Sequence, residues 1–415
     1  MSVVGKFGYK ETEIGWIPSD WSVEHVEKLA DVDSESLSNK TPADFSFRYI
    51  SLGDVDSGKL INGHDHISYS EAPSRARRVV KDGDVLFATV RPNLKGHYFA
   101  RRIDGNVIAS TGFAVVRARD GEVSPSYLYQ SLLSGIVDAQ IEKLTVGSNY
   151  PAVNSADVKR LLLPAPPLAE QQKIAAILTA VDDKLDAVVC QIEATQTLKR
   201  GLMQTLFSRR LHASWPVVPL HEVAEVRTGV AKGKKGMKEP AELPYLRVAN
   251  VQDGHIDLSE VKTIEVEVAQ IERYALQSGD VLMTEGGDFD KLGRGDVWEG
   301  QIAPCLHQNH VFAVRPNPEK LNSYYLAALA ASDHGRQYFL SCAKRTTNLA
   351  SINSSQLKAL PVLLPPLSQQ KHIASVVDAA NARIGVLEAK RQHYQTVKRG
   401  LMQKLLTGEW RVKTE

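Results

Sequence analysis

The side chains best equipped for chemistry sit in short polar runs. Arg91-Pro92-Asn93-Leu94-Lys95 follows an apolar run that opens at Gly83-Asp84 and reads as a loop. Arginine can bond guanine through two parallel N–H donors, and asparagine can pair with adenine in the same way. Arg91 and Lys95 could equally hold phosphate or lie on an idle face. Arg75, Arg77 and Arg78 are better suited to phosphate contacts, which are steeply salt-dependent. Lys232-Gly233-Lys234-Lys235-Gly236 is basic and glycine-rich, so its backbone can approach phosphate closely, although idle surface loops look alike. Glu285, Asp288, Lys291 and Arg294 form a dense polar cluster whose carboxylates could accept from cytosine N4. His307-Gln308-Asn309-His310 is a second candidate reading head. Arg345-Thr346-Thr347-Asn348 and Val146-Gly147-Ser148-Asn149-Tyr150 either meet the same ligand or simply connect elements.

Other chemistries lack their residues. His307-x-x-His310 and His64-x-His66 have no cysteine or acidic ligands at metal-binding spacing, so no metal site is expected. An adenine methyltransferase needs Asn/Asp-Pro-Pro-aromatic to hold a flipped base. Here Pro166-Pro167 and Pro365-Pro366 are each followed by leucine. There is no phosphate-binding Gly-x-x-x-x-Gly-Lys-Ser/Thr loop and no Gly-x-Ser-x-Gly elbow. Glu388-Ala389-Lys390 has a nuclease-like spacing but falls on a polar helix face, where it reads as surface charge. No catalytic residue and no cofactor of its own are expected.

The elements that must position these runs are set by size and by repetition. The chain has 415 residues, 43% apolar and 24% charged, with a net charge of +2, which calls for two or more ordinary globular domains. Between Glu71 and Arg119 ten Lys or Arg face four Asp or Glu, and from Arg227 to Lys238 five cations meet no acid. Such stretches read as local phosphate-binding faces on a nearly neutral whole. Cys190, Cys305 and Cys342 are too few and scattered for a disulfide framework. With neither a membrane span nor a secretory signal in view, a reduced cytoplasmic protein is expected.

Lys199-Arg200-Gly201-Leu202-Met203-Gln204 recurs unchanged as Lys398-Arg399-Gly400-Leu401-Met402-Gln403. Pro166-Pro167-Leu168 matches Pro365-Pro366-Leu367, Asn154 matches Asn353, Gly83-Asp84-Val85-Leu86 matches Gly279-Asp280-Val281-Leu282, and Trp21 matches Trp215. A period this long means tandem domains and not a solenoid. Each half is a mixed domain rich in short strands followed by a long proline-free helix. Phe47 to Leu52 and Val79 to Val90 read as β-rich, with turns at Asp56-Ser57-Gly58 and Asp253-Gly254. Ile174, Leu178, Val181, Leu185, Val188 and Ile192 step by four and three, and Ile373, Val377, Ala380, Ile384 and Leu387 repeat the phase. That is a heptad seam, best partnered by the other copy. The expected fold is α+β: two tandem mixed α/β recognition domains, 1–165 and 209–364, separated by two long antiparallel helices, 166–208 and 365–415, forming a coiled coil. A helix of this length spans roughly 57 Å. Two heads on such a strut could touch one duplex at two places and leave the stretch between them unread.

The duplicated Pro-Pro-Leu-x-x-Gln run with a long helix ending in Lys-Arg-Gly-Leu-Met-Gln resembles the HsdS specificity subunits of type I restriction-modification systems. The opening Tyr9 to Pro18 with Trp21 is similar to the start of that family's first recognition domain. Thr284-Glu285-Gly286-Gly287-Asp288 through Gly295 and His307 to Val311 resemble one recurring class of recognition domain. The resemblance implies a non-catalytic subunit that reads double-stranded DNA at a bipartite target, one half-site per domain, with the helices as a ruler for the spacer. It implies two HsdM methyltransferase subunits, which bind S-adenosylmethionine, and HsdR restriction subunits, which use ATP with Mg2+. A stand-alone sequence-specific regulator is the alternative; the terminal repeat blocks, which resemble subunit-docking regions, count against it. One departure is visible: the second seam carries Arg391 and Tyr394 where the first has Ile192 and Thr195.

Overall fold

The computed structural model describes residues 7–56, 58–61, 66–145, 151–232, 237–287, 292–345 and 350–413. The chain divides into two compact units, Met1–Val188 with Lys390–Glu415, and Val189–Ala389. In the first unit the strand Val85–Ala88 is buried at all four residues and lies inside an antiparallel sheet with Tyr98–Phe99, Phe113–Ala118 and Ala30–Val32. Its side chains alternate between two cores: Val85 and Phe87 face one cluster, Leu86 and Ala88 another. A second sheet runs His66–Ser68, Ser46–Ile50, Val107–Ser110, Ala76–Val80, with one parallel pair between Ser46–Ile50 and Val107–Ser110.

The second unit repeats this plan. Val281–Thr284 sits between Val311–Pro316 and Gly295–Val297, with Ala224–Thr228 beyond. Lys262–Glu267, Pro240–Leu246 and Leu306–His307 form the other sheet, its last pair parallel. The strands that flank the turn signals pair: Val55–Asp56 with Lys59–Leu60, and Val251–Gln252 with His255–Ile256; Ser57 lies outside the described residues. The β-rich readings differ in detail. Strand Ser46–Ile50 gives way to a single helical turn at Leu52–Asp54, and the run from Val79 to Val90 is broken by the turn at Gly83-Asp84.

That turn explains one repeated block. Gly83 and Gly279 have φ of +84° and +93°, a region that favours glycine. The next residue buries a carboxylate: Asp84 accepts two bonds from Arg117 at 2.8 Å, and Asp280 accepts from Arg315 at 2.7 and 2.8 Å. Both carboxylates are 1% exposed, which is tolerable because the guanidinium answers them bidentately and a main-chain N–H, from Lys81 or Gln277, adds a further bond. The Pro-Pro-Leu-x-x-Gln block has a comparable role. Gln171 accepts from Ser124 N and donates to Pro166 O at 2.9 Å each, and Gln370 does the same with Asn322 N and Pro365 O at 2.8 Å each. Each glutamine therefore locks the start of its long helix onto the preceding mixed domain.

The long helices are Leu168–Leu206 and Leu367–Leu406. Within the first unit, Asp182 receives Lys398 Nζ at 2.6 Å, and Ile174 and Leu178 share an apolar cluster with Leu405 and Leu406. Within the second, Met203 shares a cluster with Ile373, Ala374 and Val377. In each unit the start of one helix meets the end of the other, so the helices pair antiparallel as a coiled coil. The heptad positions are its buried stripe. Ile174, Leu178 and Val188 are buried, with Val181 and Leu185 half-buried, in the first unit; Ile192, Ile373, Val377 and Leu387 are buried, with Ala380 and Ile384 half-buried, in the second.

The first unit is also fastened by the end of the chain. Arg411 reaches both Asp20 and Glu170, Trp21 Nε1 donates to Glu170 at 3.0 Å, and Tyr9 donates to Gly408 O at 2.9 Å. Among the described residues no helix is long and apolar enough to cross a membrane.

Candidate nucleic-acid interface

In the first unit, residues 110–112 carry the chain from one sheet to the other, between Val107–Ser110 and Phe113–Ala118. Thr111 N donates to Arg75 O at 2.8 Å, and Thr89 N donates to Gly112 O at 2.9 Å. This crossover turn therefore brings the Arg75–Arg78 segment beside the start of the Arg91–Lys95 loop. The second unit makes the same turn at residues 308–310, between Leu306–His307 and Val311–Pro316. Glu285 N donates to His310 O at 3.0 Å, in the place of Thr89 and Gly112. Val153 N to Thr89 O, 2.9 Å, is matched by Ile352 N to Glu285 O, 2.8 Å. Here Asn309 N donates to Val230 O at 3.0 Å, which delivers the segment leading to Lys232. Both units thus bring the crossover turn beside the end of a buried strand, with a segment that carries Arg75 in the first unit and one that leads to Lys232 in the second.

The turn of the first unit was not singled out from the sequence, since Ser110, Thr111 and Gly112 carry no charge. Aligning Arg117 with Arg315 through the repeat places Gly112 under His310 and could have found it.

The nominated cations are less uniform than their spacing suggested. Arg75 is exposed. Arg77 and Arg78 are half-buried and, as neighbours on a strand, face opposite sides. Arg77 lies 5.2 Å from the Tyr69 ring centre, whereas Arg78 bonds Asp33 at 3.1 Å and Ser36 Oγ at 3.3 Å. The three therefore do not form one phosphate-binding row. Arg91 and Asn93 are exposed, with Arg91 at φ +48° and its N–H on Pro151 O. Lys95 turns inward to Asp138 at 2.7 Å and Leu133 O at 2.9 Å, so it fastens the loop and does not extend from it. Lys81 pairs with Glu35, Arg117 with Asp84 and Glu35, and Arg119 with Asp31. Lys81, then Arg117, hold the Glu35 carboxyl below the usual carboxylate range. With Arg78 and Lys95, five of the ten cations between Glu71 and Arg119 are answered by acids, most of them outside that window. The stretch is not a continuous basic face.

In the second unit Lys232 is exposed, 5.8 Å from the centre of the Tyr245 ring. Glu285 Oε2 meets His310 Nδ1 at 2.5 Å, with 30% and 55% of the side chains exposed. Gln308, Asn309 and Arg294 are half-buried, and among the described residues the Arg294 Nε has no hydrogen-bond partner. His307 overturns its nomination as a reader. It is 1% exposed, and its Nδ1 donates to Val311 O at 2.7 Å. Burial pushes the imidazole pKa down to about 4, against the opposing pull of that bond, so the ring is a neutral core group. Its inward position on the strand also separates it from His310. Arg345 ends the strand Lys344–Arg345, opposite Ala350. Lys234, Lys235, Asp288, Lys291 and Asn348 lie outside the described residues.

A family model for the type I restriction modification DNA specificity domain matches residues 18–194 and again 213–393. The chain belongs to this family. The two matches of the specificity domain each take in a mixed domain and the first part of the helix that follows it. Among similar specificity subunits, the putative type I restriction enzyme MjaX specificity subunit of Methanocaldococcus jannaschii is 25% identical over 98% of this chain and 97% of its own. The EcoKI specificity subunit of Escherichia coli K12 is 26% identical over 67% of this chain and 65% of its own. A chain from a structure titled as the basis of complex assembly and conformational transition of the type I R-M system is 25% identical, with a TM-score of 0.59 over 95% of this chain and 99% of that one. The type I S subunit from M. genitalium, 15% identical, shares the fold, with a TM-score of 0.57 over 93% and 96% of the two chains.

Proposed function

We propose that this chain is the non-catalytic DNA-reading subunit of a type I restriction-modification complex, with each mixed domain reading one half of a bipartite target. The observation that carries this reading is the duplicated crossover turn. The same main-chain bonds build it twice, while the side chains differ, Thr89 and Gly112 against Glu285 and His310. A common frame that carries a carboxylate and an imidazole in one copy and neither in the other is what two different half-sites require. The coiled-coil helices set the length of the unread spacer, and the chain docks two methyltransferase subunits and restriction subunits. S-adenosylmethionine, ATP and Mg2+ belong to those partners.

The test is a long-read map of adenine methylation in cells given this chain with and without its methyltransferase partner. Methylation at a two-part motif that needs both proteins is the expected result. A single contiguous motif, or methylation by this chain alone, would overturn the reading, and binding without any partner-dependent methylation would favour a stand-alone regulator.

A further inference from the structure

Glu285 and His310 occupy the positions that Thr89 and Gly112 hold in the first unit, and the fold needs neither of their charged or ionisable groups. The bonds that shape the turn run through the Glu285 N–H and the His310 carbonyl, which any residue supplies. In the first unit Thr89 is 8% exposed, and its hydroxyl donates back to Gly112 O at 2.8 Å, so that position is closed and satisfied from within. In the second unit the same position carries a carboxylate that leaves the core and is held by one partner, His310 Nδ1. Among the described residues the other Glu285 oxygen has no partner, and neither does His310 Nε2.

A carboxylate offers acceptors only. In the major groove cytosine presents a lone amino donor at N4, whereas adenine places the N7 acceptor beside its N6 donor, which an acceptor-only group opposes. We propose that Glu285 is a specificity-determining residue that accepts from cytosine N4 of a C·G pair in the half-site read by the second unit, and that His310 is a positioning residue that fixes its carboxylate. The assignment rests on the DNA-reading function proposed above. Lys232, brought to the turn through Val230, supplies a cation for the adjoining phosphate.

The experiment is the methylation map of the complete complex carrying Glu285→Gln, His310→Gly or His310→Gln. Glutamine can bond adenine N6 and N7 together, so Glu285→Gln should admit A·T where the wild-type motif has C·G, changing the preference there by about ten- to a hundredfold. His310→Gly should relax that same position, and His310→Gln, which can still donate to the carboxylate, should restore it. The first half-site stays unchanged throughout, which also reports that each variant folds. A second half-site that keeps its sequence in Glu285→Gln, a uniform loss of methylation without a change of motif, or a relaxed position that is A·T in the wild type would each overturn the assignment. A wild-type map with no two-part motif would instead remove the function on which it stands.

Discussion

Replacing Arg411 with alanine should destabilise the first unit by about 2–4 kcal/mol. Glu170 is 3% exposed and accepts from Arg411 Nε at 2.8 Å, Arg411 Nη2 at 2.9 Å and Trp21 Nε1 at 3.0 Å. Truncation leaves the carboxylate buried with the indole as its sole donor among the described residues. Breaking a buried pair from one side typically costs about 3–5 kcal/mol, because the remaining charge is uncompensated. The Arg411 side chain is 43% exposed, so water partly replaces it and lowers that figure. For a unit of this size each kcal/mol moves the melting midpoint by roughly 2–4 °C, which gives a drop of roughly 5–15 °C. The repeat supplies the control. Where the first copy has Glu170, the second has the neutral Gln369. Adding Glu170→Gln to Arg411→Ala removes the stranded charge but keeps an acceptor for Trp21, and should recover most of the loss. Scanning calorimetry on the wild type, the single variant and the double variant decides it. If the single and double variants melt alike, or if Arg411→Ala melts within about 1 °C of the wild type, the buried-charge argument is wrong.

Two further outcomes follow from the same kind of comparison. His307 has a folded pKa of about 4 against 6.5 unfolded, so between these values the unfolded chain binds a proton that the folded chain refuses. Its contribution to stability is therefore constant above pH 6.5 and is lost as pH falls toward 4, by roughly 2 kcal/mol at pH 5. Denaturant unfolding at pH 7 and pH 5 should show this difference shrinking in His307→Asn, and an unchanged difference would contradict it. In the first unit Lys398 pairs with Asp182, whereas in the second Lys199 lines a cavity with Asn381 at the matching place. Asn381→Asp should add up to about 1 kcal/mol, a gain that disappears in a Lys199→Met background, and a double-mutant cycle with no coupling would show that the pair does not form.

The parts of this architecture legible in the sequence were those enforced by period. Heptad spacing identifies the buried stripe of both long helices, because a residue facing a partner helix must recur every three or four positions. The repeated Gly-Asp marks a turn wherever it stands, since few other residues take its conformation. What stayed hidden depended on pairing over distance. His307 and His310 look alike in a polar run, yet a parallel strand pairing with Leu246 carries His307 into the core and leaves His310 outside. The basic stretch looked continuous because the acids that answer it, Asp31, Asp33, Glu35 and Asp138, lie 20 or more residues from their partners. Local charge sums cannot detect such compensation.

The duplication also shows which residues the fold holds fixed and which it lets vary. Residues identical in the two halves have paired duties inside their units: Gln171 and Gln370 fasten a helix start, Asp84 and Asp280 bury a carboxylate on an arginine, and Asn154 and Asn353 cap short helices. Replacing any of these leaves a buried or capping group unanswered, so both copies keep them. At the crossover turn the main-chain bonds are common to both copies, while the side chains add to them differently: Thr89 Oγ1 donates to Gly112 O in the first, and Glu285 meets His310 in the second. Threonine can turn inward there in one copy and glutamate outward in the other while the strands on either side stay in register. On the DNA-reading function proposed above, such a turn can exchange side chains while the paired strands that carry it stay the same.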